Sequence, residues 1–140
     1  MKSKAPLSLM EQLAMLLVFA LAAALCLRVF VLSGQISREC EIRDRAVAVT
    51  QNAAEILKST RGDFETASQR YGGVYQEQKW LVGFDEAWQE TAIEDAAYRL
   101  VATLVEEETP LLGIAEIAVE NRKAEIVFQI SVAWQEETDG

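Results

Sequence analysis

The stretch Leu13–Leu32, LAMLLVFALAAALCLRVFVL, contains 20 residues, and Arg28 is its one charged side chain. An α-helix of 20 residues is about 30 Å long, which is the thickness of the hydrocarbon core of a bilayer. A helix also satisfies its own backbone hydrogen bonds, as a lipid environment requires. The sequence therefore predicts a transmembrane helix over residues 13–33, preceded by a short basic leader and helix start over residues 1–12.

The charges near this stretch predict its orientation in a membrane. Lys2 and Lys4 precede it, and lysines in a short N-terminal segment favour retention on the cytoplasmic side. Arg28 lies four residues before the outer end, where its long side chain can extend to the interface. A single-pass protein is expected, with its N-terminus inside and its C-terminal domain outside.

A secretory signal, a lipoprotein signal and a buried core helix fit the apolar stretch less well than a membrane anchor does. A cleaved secretory signal has an apolar core of roughly 7–15 residues, which Arg28 would interrupt, although Val31 and Ser33 permit cleavage before Gly34. A lipoprotein signal needs small residues before its cysteine, and a leucine precedes Cys26. A buried core helix does not need 20 apolar residues in a chain of 140.

The rest of the chain is acidic and lacks the residues on which most catalytic sites depend. Residues 1–33 carry a net charge of +2, so residues 34–140 must carry −11 to give the total of −9. No basic patch is available to neutralise phosphates, which argues against nucleic acid as a partner. Histidine is absent, and with it the commonest general base and transition-metal ligand. We predict no catalytic residues, no metal site and no cofactor.

Neither the cysteines nor the acidic runs predict a site. Cys26 and Cys40 would lie about 21 Å apart along one helix, which is too far for a disulfide between them. Consecutive glutamates such as Glu106-Glu107-Glu108 diverge, so a solvated loop ending at Pro110 is favoured over a cation site. Asp85-Glu86 is typical of a turn.

Apolar residues continue at helical spacing beyond the membrane segment. There is no proline from Gln35 to Thr60, and the opposite face is charged, as in a solvated amphipathic helix. The apolar stripe consists of Ile36, Cys40, Val47, Ala54, Ile56 and Leu57. We predict that the same helix continues over residues 34–61 and is ended by Gly62 and Asp63.

The apolar period changes from 3.6 to 2 within residues 62–140, which are predicted to form an antiparallel β domain. The predicted strands are Trp80–Phe84, Tyr98–Val105, Leu112–Asn121 and Ala124–Gln135. Their predicted inward residues are Trp80, Val82, Phe84, Leu100, Ala102, Leu104, Ala115, Ile117, Val119, Ile126, Phe128, Ile130, Val132 and Trp134. Gln69–Gly73 is predicted to be a glycine-containing loop, and Asn121-Arg122-Lys123 a tight hairpin turn.

A sheet with one dry face requires a cover, and the apolar helical stripe is the best candidate in this chain. The predicted fold class is therefore α+β. A long N-terminal helix, transmembrane in its first half and amphipathic in its second, would pack on a four-stranded antiparallel sheet.

Glu11 at the entrance of the apolar stretch has two interpretations. It can be a first-turn glutamate favoured by the helix dipole, with Pro6 and Ser8 at the helix start. The string Pro6-Leu7-Ser8-Leu9-Met10-Glu11-Gln12-Leu13, after two lysines, also resembles the start of a type IV pilin or pseudopilin. The resemblance implies a processing junction between Pro6 and Leu7, with Glu11 as the assembly charge that pairs with the N-terminal amine of a neighbouring subunit.

The sequence departs from that family at the junction, where Gly or Ala usually precedes the cut and Phe or Met follows it. The helix-then-sheet order is a second resemblance, and it covers nearly the whole chain. Together they imply a structural, non-enzymatic minor pilin-like subunit of a type IV pilus, type II secretion or competence-type filament in the bacterial cytoplasmic membrane. Its partners would be the lipid bilayer and other pilin-like subunits or envelope proteins. The alternative is a permanently anchored extracytoplasmic interaction or scaffold module.

Overall fold

The computed structural model describes residues 5–106 and 111–136. The basic leader residues Lys2 and Lys4, and most of the predicted acidic loop, Glu107–Pro110, lie outside the described residues.

The chain divides into two compact units, Met1–Glu41 and Ile42–Gly140. A single helix, α1 (Ala5–Thr60), contributes residues to both. It passes through Gly34 without interruption and ends at Thr60. Every described residue of the first unit is solvent-exposed.

The second unit combines the last part of α1 with a short helix and six strands. The elements that follow α1 are α2 (Phe64–Tyr71), β1 (Val74–Gln76), β2 (Lys79–Phe84), β3 (Glu90–Thr91), a 3₁₀ turn (Ile93–Asp95), β4 (Tyr98–Val105), β5 (Leu112–Asn121) and β6 (Ile126–Gln135). The α+β class and the long apolar N-terminal helix are thus as predicted. The strand count is wrong, because the sheet has six strands instead of four.

The sheet is open and antiparallel, in the order β1-β2-β4-β5-β6. Both β1 and β3 pair with β2, on the side of β2 that does not pair with β4. β1 pairs with the first half of β2, and β3 pairs with its last two residues. β4 pairs with β5 from Tyr98↔Asn121 to Val105↔Ile114, and β5 pairs with β6 from Leu112↔Gln135 onward. β6 therefore forms one edge of the sheet, and the short strands β1 and β3 form the other.

The core lies between one face of this sheet and the last turns of α1. Apolar burial is the main stabilising contribution, about 1.5–3 kcal/mol for each fully buried large side chain. From α1 the buried residues are Ala46, Thr50, Ala53, Ile56 and Leu57, and from the sheet they include Trp80, Leu100, Ala102, Ala115, Ile117, Val119, Val132 and Trp134. Steps of four, three and four residues from Ala46 to Leu57 place the small residues where the helix approaches the sheet.

Two parts of the predicted apolar pattern are wrong. Ile36 and Cys40 are exposed rather than buried, so the stripe that meets the sheet begins only at Ala46. Leu104 and Ile126 are also exposed, at 48% and 58%, because they lie near strand ends that the described part of α1 does not cover.

A Schellman motif ends α1. The Gly62 N–H donates to the Leu57 carbonyl at 2.9 Å and the Arg61 N–H to the Lys58 carbonyl at 3.4 Å, which satisfies carbonyls that the helix end would leave unpaired. Both Arg61 and Gly62 have positive φ, +52° and +77°. Gly62 is thus confirmed as a stop signal, and α2 begins at Phe64.

Asp63 is the N-cap of α2, the helix that replaces most of the predicted loop at Gln69–Gly73. Its Oδ1 accepts a hydrogen bond from the Thr66 backbone N–H at 3.3 Å, and its Oδ2 accepts one from the Thr66 hydroxyl. Such caps satisfy the free N–H groups of the first helical turn. The side-chain bond from Thr66, followed by the backbone bond, lowers the pKa of Asp63.

We expect Thr66→Val to raise the pKa of Asp63 toward its ordinary value, because the largest stabilising contact of the carboxylate is lost. Since the folded pKa is depressed, the cap stabilises the fold above the ordinary value, near pH 4, and this contribution is lost as the pH falls through the folded pKa. A carbon-13 NMR titration of the Asp63 carboxyl in the full chain measures it. Ser68→Ala is the control, because the Ser68 hydroxyl donates to the Glu65 carbonyl instead; equal Asp63 pKa values in all three proteins would contradict the expectation.

The β5–β6 hairpin forms without glycine because Asn121 organises its turn. The Asn121 Oδ1 accepts hydrogen bonds from the Lys123 and Glu125 backbone N–H groups, both at 3.0 Å. Ala124 adopts a φ of +60°. The predicted strand start at Ala124 is therefore two residues early, since β6 begins at Ile126.

Candidate functional site

The first turns of α1 contain all three residues that the sequence singles out. Pro6, Leu7 and Glu11 lie within the helix, which begins at Ala5, and each is exposed. Leu7 and Glu11 are four residues apart and so share one helix face. The Pro6–Leu7 bond is helical, so a peptidase would have to unwind the first turn to cleave it.

Around these residues, α1 has a continuous apolar surface that its own chain leaves uncovered. Large apolar side chains from Leu7 to Ile36 are between 53% and 78% exposed. Within the described residues, α1 is the one helix that is both long enough and apolar enough to cross a membrane. No part of its most apolar 18-residue stretch is buried. By length and composition, α1 could therefore span a membrane.

Two opposite charges interrupt this apolar surface. Between Ala5 and Ser37, Glu11 and Arg28 are the charged residues, and both are exposed. Within the described ranges, no hydrogen bond or ion pair joins either side chain to another residue. They are 17 residues apart, which corresponds to about 25 Å along the helix and about 100° around its axis. They are too far apart to pair within one chain.

No protein-family model, curated protein or solved structure matches this chain significantly.

The second unit has an apolar groove between the end of α1, the end of α2 and the sheet. It has a volume of about 170 Å³ and is lined by Val49, Asn52, Ala53, Ile56, Tyr71, Trp80, Val82, Phe84, Glu90 and Leu100. Glu90 is its charged residue, and the carboxylate accepts a hydrogen bond from the Gly73 N–H at 3.0 Å. The Glu90 carboxylate is thus held by the backbone in a lining that also includes the Tyr71 phenol.

The Gly72-Gly73 turn at this groove is fixed from two sides. The Trp80 indole N–H donates to the Gly72 carbonyl at 3.0 Å, and Glu90 binds the next residue. Gly72 and Gly73 have φ values of +103° and +86°, and a Cβ on Gly73 would lie 2.3 Å from the Leu81 carbonyl. The pair is thus a turn, as predicted. The groove itself was missed, because it forms only where three elements meet.

The tryptophans have structural positions. Trp80 and Trp134 are 1% and 7% exposed, which confirms their predicted inward orientation. Trp88, whose position the sequence leaves open, stacks on Tyr98 with ring centroids 4.3 Å apart and an angle of 8° between planes. The Trp134 indole N–H is buried without a hydrogen-bond partner. Packing contacts therefore hold Trp134 in place, and its unsatisfied indole N–H lowers the stability of the fold.

Other reactive side chains are dispersed. Within residues 5–106 and 111–136, His, Cys, Asp and Glu side chains form no group of three that could hold a metal ion. Cys26 and Cys40 are free, exposed thiols on α1. The apolar surface of α1 with its two charges is thus the feature of the described chain with the clearest potential for interaction.

Proposed function

We propose that this protein is a structural, non-enzymatic pilin- or pseudopilin-like subunit of the bacterial cytoplasmic membrane. It assembles through the exposed apolar surface of α1 between Leu7 and Ile36, and its second unit lies on the extracytoplasmic side. The observation that carries the proposal is the complete exposure of the described residues of the first unit. A helix followed by an antiparallel sheet, the order of pilins, supports it.

The physical basis is that one surface serves two environments. In a bilayer, lipid chains cover the side chains of α1 and the backbone is satisfied internally. In a filament, neighbouring helices cover the same side chains by close packing. Neither environment requires another fold of the second unit, whose core is complete within the chain. Assembly is thus an exchange of lipid contacts for helix contacts.

A permanently anchored interaction module is the second candidate, and the edge strand β6 favours it. The Glu136 N–H donates to the Leu111 carbonyl, so by ladder alternation Gln129, Ser131, Ala133 and Gln135 direct their backbone groups away from β5. No charged residue occurs in the ten residues of β6. Exposed edges usually carry lysine, proline or charge that blocks added strands. This edge can therefore accept an extended segment of a partner.

Cross-linking through Cys26 distinguishes the two candidates. Cys26 lies on the proposed contact surface, so we expect a bifunctional maleimide with a spacer of about 30 Å, long enough to join neighbouring helices that are offset along their axes, to convert most of a Cys40→Ser variant into dimers in membranes or sheared filaments. The dimer fraction should fall far less than tenfold when expression is lowered about tenfold, because assembled neighbours stay in contact whereas collisions between separate chains scale with surface density.

The matched control is Cys26→Ser, which keeps Cys40 as the single thiol outside the apolar stretch and reports collisions of anchored chains. A Cys26 dimer fraction that falls in proportion to expression would reject assembly through α1. It would leave the anchored interaction module as the function.

A further inference from the structure

The placement of Glu11 and Arg28 constrains how two copies of α1 can pack. Both are exposed on a helix that is otherwise uncharged from Ala5 to Ser37. In a bilayer, each side chain extends to the interface nearest its own end of the span. In a helix bundle those interfaces are lost, and an isolated buried charge is unfavourable unless an opposite charge pairs with it.

We propose that Arg28 of one copy, in place of the N-terminal amine that the resemblance to pilins implies, pairs with Glu11 of the next copy, and that this pair sets a parallel offset of 17 residues, about 25 Å, between neighbouring helices. The proposal rests on the proposed function and specifies its contact. The occupant of the apolar surface is a second copy of this chain, because the helix carries one charge of each sign and so provides the partner that each charge requires.

The angular positions determine the type of assembly. The two charges are about 100° apart around α1, so one helix presents its carboxylate to one neighbour and its guanidinium to another. Such a contact uses two different surface patches and is heterologous. Heterologous contacts repeat without closing when their rotation does not return to the start, which gives a filament.

The offset predicts which apolar side chains become neighbours. Met15 lies one turn after Glu11 and Val31 lies one turn after Arg28, on sides that face each other when two parallel helices are offset by 17 residues. Both are exposed in the single chain, at 69% and 56%. A cysteine at each position therefore reports the offset directly.

The test uses the full chain with Cys26→Ala, Cys40→Ala, Met15→Cys and Val31→Cys, oxidised in sheared filaments, because two copies that span one bilayer lie at the same depth. We expect a ladder of disulfide-linked multimers, because each copy contacts two neighbours through different residues. The variant with Met15→Cys alone should form almost no dimer, since two copies of residue 15 are offset. Dimers of that variant without a ladder would show helices in register, which overturns the offset but leaves assembly through α1 in place.

Charge reversal tests the ion pair. Glu11→Arg and Arg28→Glu are each expected to lower the multimer fraction at least about tenfold, and the double variant should recover it to within about threefold, because the pair is restored with its signs exchanged. Arg38→Glu is the matched control, an equal charge change on an exposed α1 residue beyond the apolar stretch, and should leave the ladder intact.

If a reversed chain fails to insert, Glu11→Gln and Arg28→Gln replace it, and both should also weaken the ladder. An undiminished ladder in the single variants would overturn the proposal and show that Arg28 contacts only lipid headgroups. Loss of every cross-link, including that of native Cys26, would reject the proposed function as well.

Discussion

Replacing Trp80 with alanine is expected to lower the free energy of unfolding of the second unit by about 3–5 kcal/mol. Trp80 is 1% exposed and belongs to the core cluster that joins β2 to α1. Its indole N–H also donates to the Gly72 carbonyl at 3.0 Å. The substitution therefore leaves a cavity beside the 170 Å³ groove and removes the bond that fixes the Gly72-Gly73 turn. Urea unfolding of the full chain in micelles, followed by the fluorescence of the remaining tryptophans, measures the change.

Two variants of the same strand separate these contributions. Trp80→Phe keeps most of the buried area but loses the donor, so we expect a loss of about 0.5–1.5 kcal/mol for the hydrogen bond plus a smaller packing term. Lys79→Ala changes an exposed neighbour and should remain within about 0.5 kcal/mol of the wild type. Trp80→Ala as stable as Lys79→Ala would mean that β2 does not pack on α1.

Gly62→Ala is expected to destabilise the second unit by about 2–5 kcal/mol, for two independent reasons. Gly62 has a φ of +77°, where a Cβ adds roughly 1–2 kcal/mol of backbone strain. That Cβ would also lie 2.2 Å from the Trp134 Cζ2 atom, so the buried ring would have to move, which adds about 1–3 kcal/mol. The same urea titration measures the effect.

Gly34→Ala is the matched control, because a Cβ at Gly34 meets nothing within 4 Å and the residue is helical. Alanine is favoured over glycine in a helix by about 1 kcal/mol, so no loss of stability is expected there. Equal effects of the two substitutions would contradict the close contact between Gly62 and Trp134.

The sequence predicted those elements whose apolar pattern is long enough to be periodic. Tyr98–Val105 and Leu112–Asn121 have the predicted bounds, because eight and ten residues of alternation distinguish a strand from a helix. β1 and β3 have three and two residues, which is too short for any period. Helix α2 buries only Phe64 and Ala67, so its apolar pattern is weak. The sequence feature that indicates this helix better is the N-cap formed by Asp63 and Thr66.

Periodicity also failed to show where the helix acquires its cover. The predicted apolar stripe runs from Ile36 to Leu57, yet burial begins at Ala46. An apolar stripe predicts which face of a helix can be buried. The position of the sheet decides which part of that face is buried.

The features of the candidate site also differ in whether the sequence alone shows them. Glu11 and Arg28 are visible in the sequence, because two charges in a long apolar run stand out without any structure. The groove beside Glu90 was not predictable, since its lining comes from two helices and several strands that are far apart in the chain.

The contact of Trp134 with Gly62 and Gly113 bears on the order in which the chain can be made and folded. Residues 62 and 134 are 72 positions apart. The indole ring of Trp134 packs against the turn that ends α1. A chain that is synthesised N-terminus first cannot form this contact until β6 is available. Such long-range closure is slow and leaves apolar surface accessible in the meantime. The inner face of the sheet is therefore accessible to other proteins until residue 134 has been added.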